Sequence, residues 1–236
     1  KGIINKANGS VLVKVYLATV ILYAVSCIIQ PNYLSWKYIM DTLVAASFLG
    51  IMCVGQTLVI LTGGIDLSIA VTFNLAAVIT ASMQNENQLL MIGILLLTGV
   101  VIGLINGLGV VFLDVPPIVM TLAMQSILLS AVYLYTKGLA DGASPKWVRF
   151  IATQSILNFR IALILWIFIT VMVIFLLTKT TWGRKIYAIG INRNVAFYSG
   201  VNNNCMIISV YILSSVFAVI AGLFYTGYLG YAYIGM

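Results

Sequence analysis

Long apolar runs separated by short polar stretches set the hydropathy pattern of the chain. A helix needs about 20 apolar residues to cross a bilayer, and the sequence offers seven runs near this length. These runs cover residues 12–29, 41–61, 67–83, 89–113, 117–136, 161–178 and 205–229. The pattern predicts an all-α integral membrane protein, a polytopic helical bundle. Because no linker rich in Pro, Ser or Gly interrupts it, we expect a single transmembrane domain over residues 1–236.

The composition supports this class and excludes others. Of the 236 residues, 62% are hydrophobic and 7% are charged, whereas soluble domains carry about 25% charged residues. A soluble enzyme and a nucleic-acid binder are therefore excluded, and the net charge of +7 fits loops that face an anionic lipid surface. The sequence contains no histidine, the commonest metal ligand and general base. We expect neither catalytic residues nor a metal site.

The twelve Lys and Arg residues predict an orientation in the bilayer. Cytoplasmic loops of membrane proteins carry an excess of these residues. With a cytoplasmic N-terminus, seven of the twelve lie inside, at Lys1, Lys6, Lys14, Lys179, Arg184, Lys185 and Arg193. Five lie outside, at Lys37, Lys137, Lys146, Arg149 and Arg160. The long polar segments 137–160 and 179–204 then lie on opposite sides, so each side offers one docking surface.

The stretch from Gln56 to Ser68 joins two apolar runs through only a few residues. Gly63 and Gly64 break the helix, and Asp66 can accept a backbone N–H at the start of the next one. An ionisable side chain at such a break usually faces protein or water, because charge is costly in lipid. One interpretation is a substrate-path or gating element built on a broken helix. The other is a plain helix cap at the membrane surface, and the residues alone leave both open.

Glycines recur every four residues in the fourth run, at Gly99, Gly103 and Gly107. This spacing places all three on one helix face and lets another helix approach closely. Asn106 lies beside the stripe, and its amide needs a hydrogen-bond partner inside the membrane. Helix packing is the simpler role for Asn106, and a hydrogen bond to a polar substrate is the alternative.

The polar segment 179–204 contains the signals of a short helix. Asn192 is a good N-cap and Gly200 a good stop, which predicts about two helical turns over 193–199. Such a helix in a cytoplasmic loop could dock onto a soluble partner. It could also lie on the lipid, supported by Trp182, Phe197 and Tyr198.

The order of these motifs resembles that of the permease subunits of bacterial ribose/xylose/arabinose/galactose-type ABC importers. The resemblance begins with GQTLVILTGGIDLS, residues 55–68. The further motifs are GLING at 103–107, PPIVMTL at 116–122, YTKG at 135–138, WGRKIYAIGIN at 182–192 and SGV at 199–201. Together they cover nearly the whole chain from about residue 40 onward.

The resemblance implies an ABC importer permease of the ribose/branched-chain amino acid type in the bacterial cytoplasmic (inner) membrane. Its partners would be a second permease copy or paralogue, cytoplasmic ATPase subunits that bind ATP and Mg, and an external sugar-binding protein. The chain itself would translocate the sugar and bind no cofactor, since it lacks the G-x-x-x-x-G-K-[ST] loop that holds phosphates. The sequence starts at Lys1 without a methionine and stops at Met236 just after an apolar run, so we expect it to be truncated at both ends. The resemblance supports this, since family permeases continue through further spanning segments after this point.

The resemblance also assigns roles to residues. The loop matching 181–201 couples the permease to its ATPase in this family. The positions implied in coupling are Gly183, Arg184, Gly190, Asn192, Arg193, Asn194, Val195, Ala196, Ser199 and Gly200. The positions expected in the transport path or its gate are Gln56, Gly63, Gly64, Asp66, Ser68 and Asn106.

One departure from the family and two rival functions stay open. The family commonly has Glu-Ala-Ala where this chain has Asn194, Val195 and Ala196. Either the ATPase contact is mostly apolar, or this chain is the weaker-coupled member of a heterodimer. The closest rival is a permease of the same fold for nucleosides, branched-chain amino acids or a signalling sugar. A more distant alternative is a proton-coupled secondary transporter that uses Asp66 as its carrier.

Overall fold

Helices carry most of the chain in the computed structural model, which describes residues 2–138, 142–156 and 159–232. The helices are α1 Gly2–Ile29, α2 Trp36–Leu61, α3 Ile69–Ser82, α4 Gln88–Phe112, α5 Pro117–Thr136, α6 Lys146–Thr153, α7 Ile161–Lys179, α8 Thr181–Ile191, α9 Arg193–Tyr198 and α10 Asn203–Leu229. A 3-10 helix covers Pro31–Leu34, and β1 (Ser155–Ile156) pairs antiparallel with β2 (Phe159–Arg160).

Each of the seven predicted runs overlaps one helix, but not all of these helices have the length of a span. Within the described residues, α2, α4, α5, α7 and α10 are long and apolar enough to cross a membrane. Helix α3 has 14 residues, about 21 Å at the rise of an α-helix, which is less than a hydrocarbon core of about 30 Å. Helix α3 is therefore shorter than the predicted run over 67–83, because residues 62–68 form turns and bends instead of continuing a helix, and a crossing of the membrane by this segment stays a prediction.

The chain forms two compact units, Lys1–Leu43 and Val44–Met236. In the first unit, the Tyr23 hydroxyl donates to the Tyr33 carbonyl oxygen over 2.9 Å. The ring of Tyr33 also packs edge-on against that of Tyr38, with 5.6 Å between the centroids. All contacts described below lie within the second unit, and the expectation of one membrane domain stays a prediction.

Helix α10 provides the core of the second unit. Its buried face includes Tyr211, Phe217 and Ala221, and it packs against α4, α3 and α6. Glycines make these approaches close. A Cβ added to Gly227 would lie 2.7 Å from the carbonyl oxygen of Val148 in α6. The buried core of the unit is thus organised around one helix near the end of the described chain.

The two long polar segments contain structure that hydropathy did not reveal. Segment 137–160 includes α6 and the β1–β2 hairpin, and segment 179–204 includes α8 in addition to the predicted short helix. Helix α6 buries Val148 and Ala152, which share one face because they are four residues apart. The predicted helix over 193–199 is observed as α9 and ends one residue earlier.

Contacts between loops agree with the alternation of sides that the sequence predicts. On one side, the Arg193 guanidinium donates to the Thr62 carbonyl oxygen over 3.3 Å. On the other side, the Trp147 Nε1–H donates to Gln88 Oε1 over 2.7 Å. The first pair joins the α2–α3 loop to the start of α9, both of which we place inside. The second joins the start of α4 to α6, both of which we place outside.

Candidate functional site

Helix α2 ends in a glycine-dependent Schellman motif. The Gly64 N–H donates to the Val59 carbonyl oxygen over 3.1 Å, and the Gly63 N–H donates to the Ile60 carbonyl oxygen over 2.9 Å. Gly63 has a φ of 80°, a left-handed conformation that glycine adopts without steric cost. The helix therefore stops here by local geometry, and the chain continues into the break that carries Asp66.

The Asp66 carboxylate accepts three hydrogen bonds and is 1% exposed. Its Oδ1 accepts from the Ser68 N–H over 3.0 Å and from the Ser68 hydroxyl over 2.6 Å. Its Oδ2 accepts from the Ser214 hydroxyl of α10 over 3.0 Å. Asp66 thus makes the local backbone bond that the sequence suggested, but it does so among packed side chains and not at an exposed surface.

Further hydrogen bonds tie the break to α4 and α5. The Asn106 Nδ2–H donates to the Ser68 Oγ over 2.9 Å. The Leu67 N–H donates to the Thr121 Oγ1 over 3.1 Å. The break between α2 and α3 is therefore held by side chains from α4, α5 and α10 together, and we call this set of bonds the break network.

Buried polar atoms next to the break network have hydrogen-bonding capacity left. Within the described part of the chain, Asn106 Oδ1, the Tyr211 hydroxyl and Ser215 Oγ are buried and have no hydrogen-bond partner. The Tyr211 hydroxyl lies against Gly64, where an added Cβ would be 2.7 Å from its oxygen. Gln56 lies half-buried in α2, two turns before the break. Hydroxyls and amides of this kind can bind a polar solute, but they form no nucleophile–base pair for catalysis.

The glycine stripe of α4 lies directly on α10. A Cβ added to Gly103 would lie 2.5 Å from the Tyr211 carbonyl oxygen, and one added to Gly107 would lie 2.9 Å from the Ile208 Cα. At Gly99 the corresponding distance to the Val216 Cα is 3.2 Å. These close approaches bring Asn106 to the depth of the break network.

The residues implied in coupling form a helix pair, α8 and α9. The Asn192 side chain accepts from the backbone N–H groups of Asn194 and Val195, over 2.9 and 3.1 Å. Gly200 follows α9 with a φ of 80°. The positions that this arrangement exposes are Arg184, Gly190, Asn192, Arg193, Asn194, Val195, Ser199 and Gly200, whereas Gly183 and Ala196 are buried.

Three features of the site were missed from the sequence. These are the bond from Ser214 to Asp66, the bond from Leu67 to Thr121, and the bond from Arg193 to Thr62. The adjacent Ser214 and Ser215 inside an apolar run were a usable signal for the first. Neither of the others had a local signal, since both join residues more than fifty positions apart.

Similarity to known proteins covers nearly the whole chain. Residues 38–236 match the family described as branched-chain amino acid transport system / permease component. The chain belongs to this permease family. It is 33% identical to the galactose/methyl galactoside import permease protein MglC of Escherichia coli (strain K12), over 92% of this chain and 71% of that protein. It is 32% identical to the ribose import permease protein RbsC of Haemophilus influenzae (strain ATCC 51907 / DSM 11121 / KW20 / Rd), over 92% of this chain and 69% of that protein.

A third relative has a different kind of substrate in its name. The chain is 30% identical to the autoinducer 2 import system permease protein LsrC of Salmonella choleraesuis (strain SC-B67), over 91% of this chain and 62% of that protein. No solved structure is significantly similar to the chain. Family and apolar helices together identify a multi-pass transport permease of the bacterial inner membrane.

Proposed function

We propose that this chain is the path-forming subunit of an ATP-driven importer for a sugar. The observation that carries the proposal is the similarity to permeases named for galactose and ribose import, each matched over 92% of this chain. Cytoplasmic ATPase subunits would bind ATP and Mg, and an external binding protein would deliver the sugar. This chain would hold no cofactor of its own.

The break network supports a role in the path. Its groups are hydroxyls, an amide and a carboxylate, contributed by the break itself, α4, α5 and α10. Broken helices with buried polar groups are a recurring way of building solute paths inside membranes. Gln56, Gly63, Gly64, Asp66, Ser68 and Asn106 are the positions that we assign to this path or its gate.

The pair α8–α9 supports docking of an ATPase through mainly apolar contacts. Four large side chains on it are more than half exposed: Ile191, Val195, Phe197 and Tyr198. Such a cluster outside the bilayer is typical of a protein interface. Asn194 stands where the family commonly has an acidic residue, so apolar packing would carry most of this contact.

The opposite side offers a surface for the external binding protein. Helix α6 buries Val148 against α10 and exposes Lys146 and Arg149. Two basic side chains on a fixed helix can meet acidic groups of a partner and orient its approach. The large apolar side chains exposed on α5 and α7 would face lipid or the second permease.

Reconstitution tests the proposal. The chain would be purified with the ATPase subunits that accompany it and placed in proteoliposomes with its binding protein and radiolabelled galactose or ribose. We expect accumulation of one of the sugars that requires both ATP and the binding protein. Uptake driven by a pH gradient without ATP would contradict the proposal and favour a proton-coupled carrier. ATP-driven uptake of a nucleoside or a branched-chain amino acid instead would favour the same-fold rivals.

A further inference from the structure

The end of α2 presents two carbonyl groups to the α8–α9 pair. A helix terminus leaves its last carbonyl groups without partners inside the helix. The Schellman motif uses those of Val59 and Ile60. The next two, those of Leu61 and Thr62, are contacted by residues more than a hundred positions later in the chain.

Arg193 makes the first of these contacts. Its guanidinium donates to the Thr62 carbonyl oxygen over 3.3 Å, where a positive charge also complements the partial negative charge at a helix C-terminus. The Arg193 backbone is fixed as well, because the Asn203 Nδ2–H of α10 donates to its carbonyl oxygen over 2.7 Å. Arg193, the first residue of α9, is therefore bonded both to the C-terminal end of α2 and to the first residue of α10.

Gly190 makes the second contact. An added Cβ there would collide with the Leu61 carbonyl oxygen, so the backbone of α8 rests directly on the end of α2. Backbone groups in such close contact cannot slide past each other as flexible side chains can. A displacement of α8–α9 must therefore move the end of α2 or break both contacts.

We propose that Arg193 and Gly190 transmit movement from the ATPase-docking helices to the break that carries Asp66. Only Gly63, Gly64 and Ile65 separate Thr62 from Asp66, and the break network joins Asp66 to α4 and α10. Arg193 is a positioning residue, because it acts on the path through the Thr62 carbonyl group. The inference rests on the proposed function, since it takes α8–α9 as the site where the ATPase acts.

The test measures movement at the break instead of transport. The chain would carry Ile65→Cys, with Cys27, Cys53 and Cys205 replaced by Ser, and would be studied in complex with its ATPase. Ile65 lies in the break and its side chain is 38% exposed. The rate of its reaction with a maleimide would be compared with and without ATP plus vanadate. We expect the nucleotide to change this rate when Arg193 and Gly190 are intact.

Three further variants test whether Arg193 carries the movement from α8–α9 to the break. Arg193→Gln should reduce the nucleotide-induced change by about tenfold, the smallest effect expected from losing one charge-assisted hydrogen bond, while the ATPase stays bound. Arg193→Lys should restore part of the change, because an ammonium group can also donate to Thr62. Lys37→Gln removes one exposed positive charge at a residue outside the α8–α9 pair and should leave the response unchanged.

Gly190→Ala gives an independent check that does not alter charge. Its added methyl group should force the Leu61 carbonyl away and reduce the response in the same way. An unchanged response in both Arg193→Gln and Gly190→Ala would overturn the link. Loss of the ATPase from Arg193→Gln would also overturn it, by showing that Arg193 is a docking residue.

The parent protein separates this link from the proposed function. If the parent shows no nucleotide response at all, both ATP coupling and the link are overturned. If a protein that transports no sugar still shows the response, only the proposed substrate is contradicted.

Discussion

The Asp66 carboxylate matters because it satisfies three donors in a place where water has little access. Two of them belong to Ser68 and one to Ser214, which is 148 positions away in the chain. Asp66 therefore holds both the turn before α3, through Ser68, and the distant helix α10, through Ser214. Its geometry does not require the negative charge: in asparagine the amide oxygen could accept both bonds from Ser68, and the amide N–H could donate to a rotated Ser214 hydroxyl.

We expect Asp66→Asn to keep the fold and most of the transport. Asp66→Leu, of similar size, should instead lower the free energy of unfolding by about 1–3 kcal/mol for each buried donor left unpaired. Thermal unfolding in detergent and sugar uptake in proteoliposomes would be measured on both variants. If Asp66→Asn is as stable as the parent but transports nothing, the charge itself belongs to the path and the prediction fails.

At the scale of elements, the packing of α4 on α10 depends on the absence of side chains. The stripe of Gly99, Gly103 and Gly107 brings the α4 backbone to within atomic contact of α10. Inside a membrane, such close packing replaces the hydrophobic driving force that helices in water would have. The same approach delivers Asn106 to Ser68, so helix packing and the break network are parts of one arrangement.

Two alanine substitutions in α4 separate packing from helix propensity. Gly103→Ala places a methyl group against the Tyr211 carbonyl group of α10 and should destabilise the protein by about 1–3 kcal/mol, because backbone atoms cannot yield. Gly93→Ala is the matched control, because an added Cβ there meets nothing within 4 Å. It should be neutral or stabilise α4 by up to about 1 kcal/mol. Thermal unfolding in detergent measures both, and equal effects of the two substitutions would contradict a packing role for the stripe.

At the scale of the whole molecule, the second unit separates two kinds of surface. The loop joining α2 and α3 contacts the α8–α9 pair, and the first residue of α4 contacts α6. Because the connecting helices alternate direction, we predict that the two surfaces lie on opposite sides of the membrane. The excess of Lys and Arg predicts that the α8–α9 surface faces the cytoplasm.

Cysteine labelling tests this topology directly. Asn85→Cys and Tyr198→Cys would be made separately in a chain with Cys27, Cys53 and Cys205 replaced by Ser. A membrane-impermeant maleimide should label Asn85→Cys in intact spheroplasts and Tyr198→Cys only after permeabilisation. The parent without cysteines controls for background, and labelling of both variants from outside would refute the predicted orientation.

The sequence by itself determined the long apolar helices, the short helix after Asn192 and the position of the main break. Apolar runs, the Gly63–Gly64 pair and the Asn192 cap act over a few residues, so their effects could be predicted without the fold. Helices α6 and α8 were missed because short helices in polar segments have no long apolar run.

Only the tertiary structure decided which side chains meet. The sequence predicted that Asp66 accepts a local backbone N–H, but its bond from Ser214 depends on how α10 is rotated against the break. Likewise, the sequence showed that Arg193 begins a short helix, but not that it reaches Thr62, 131 positions earlier. Local patterns fix backbone conformation, whereas contacts across the unit depend on the mutual packing of several helices, which no single segment encodes.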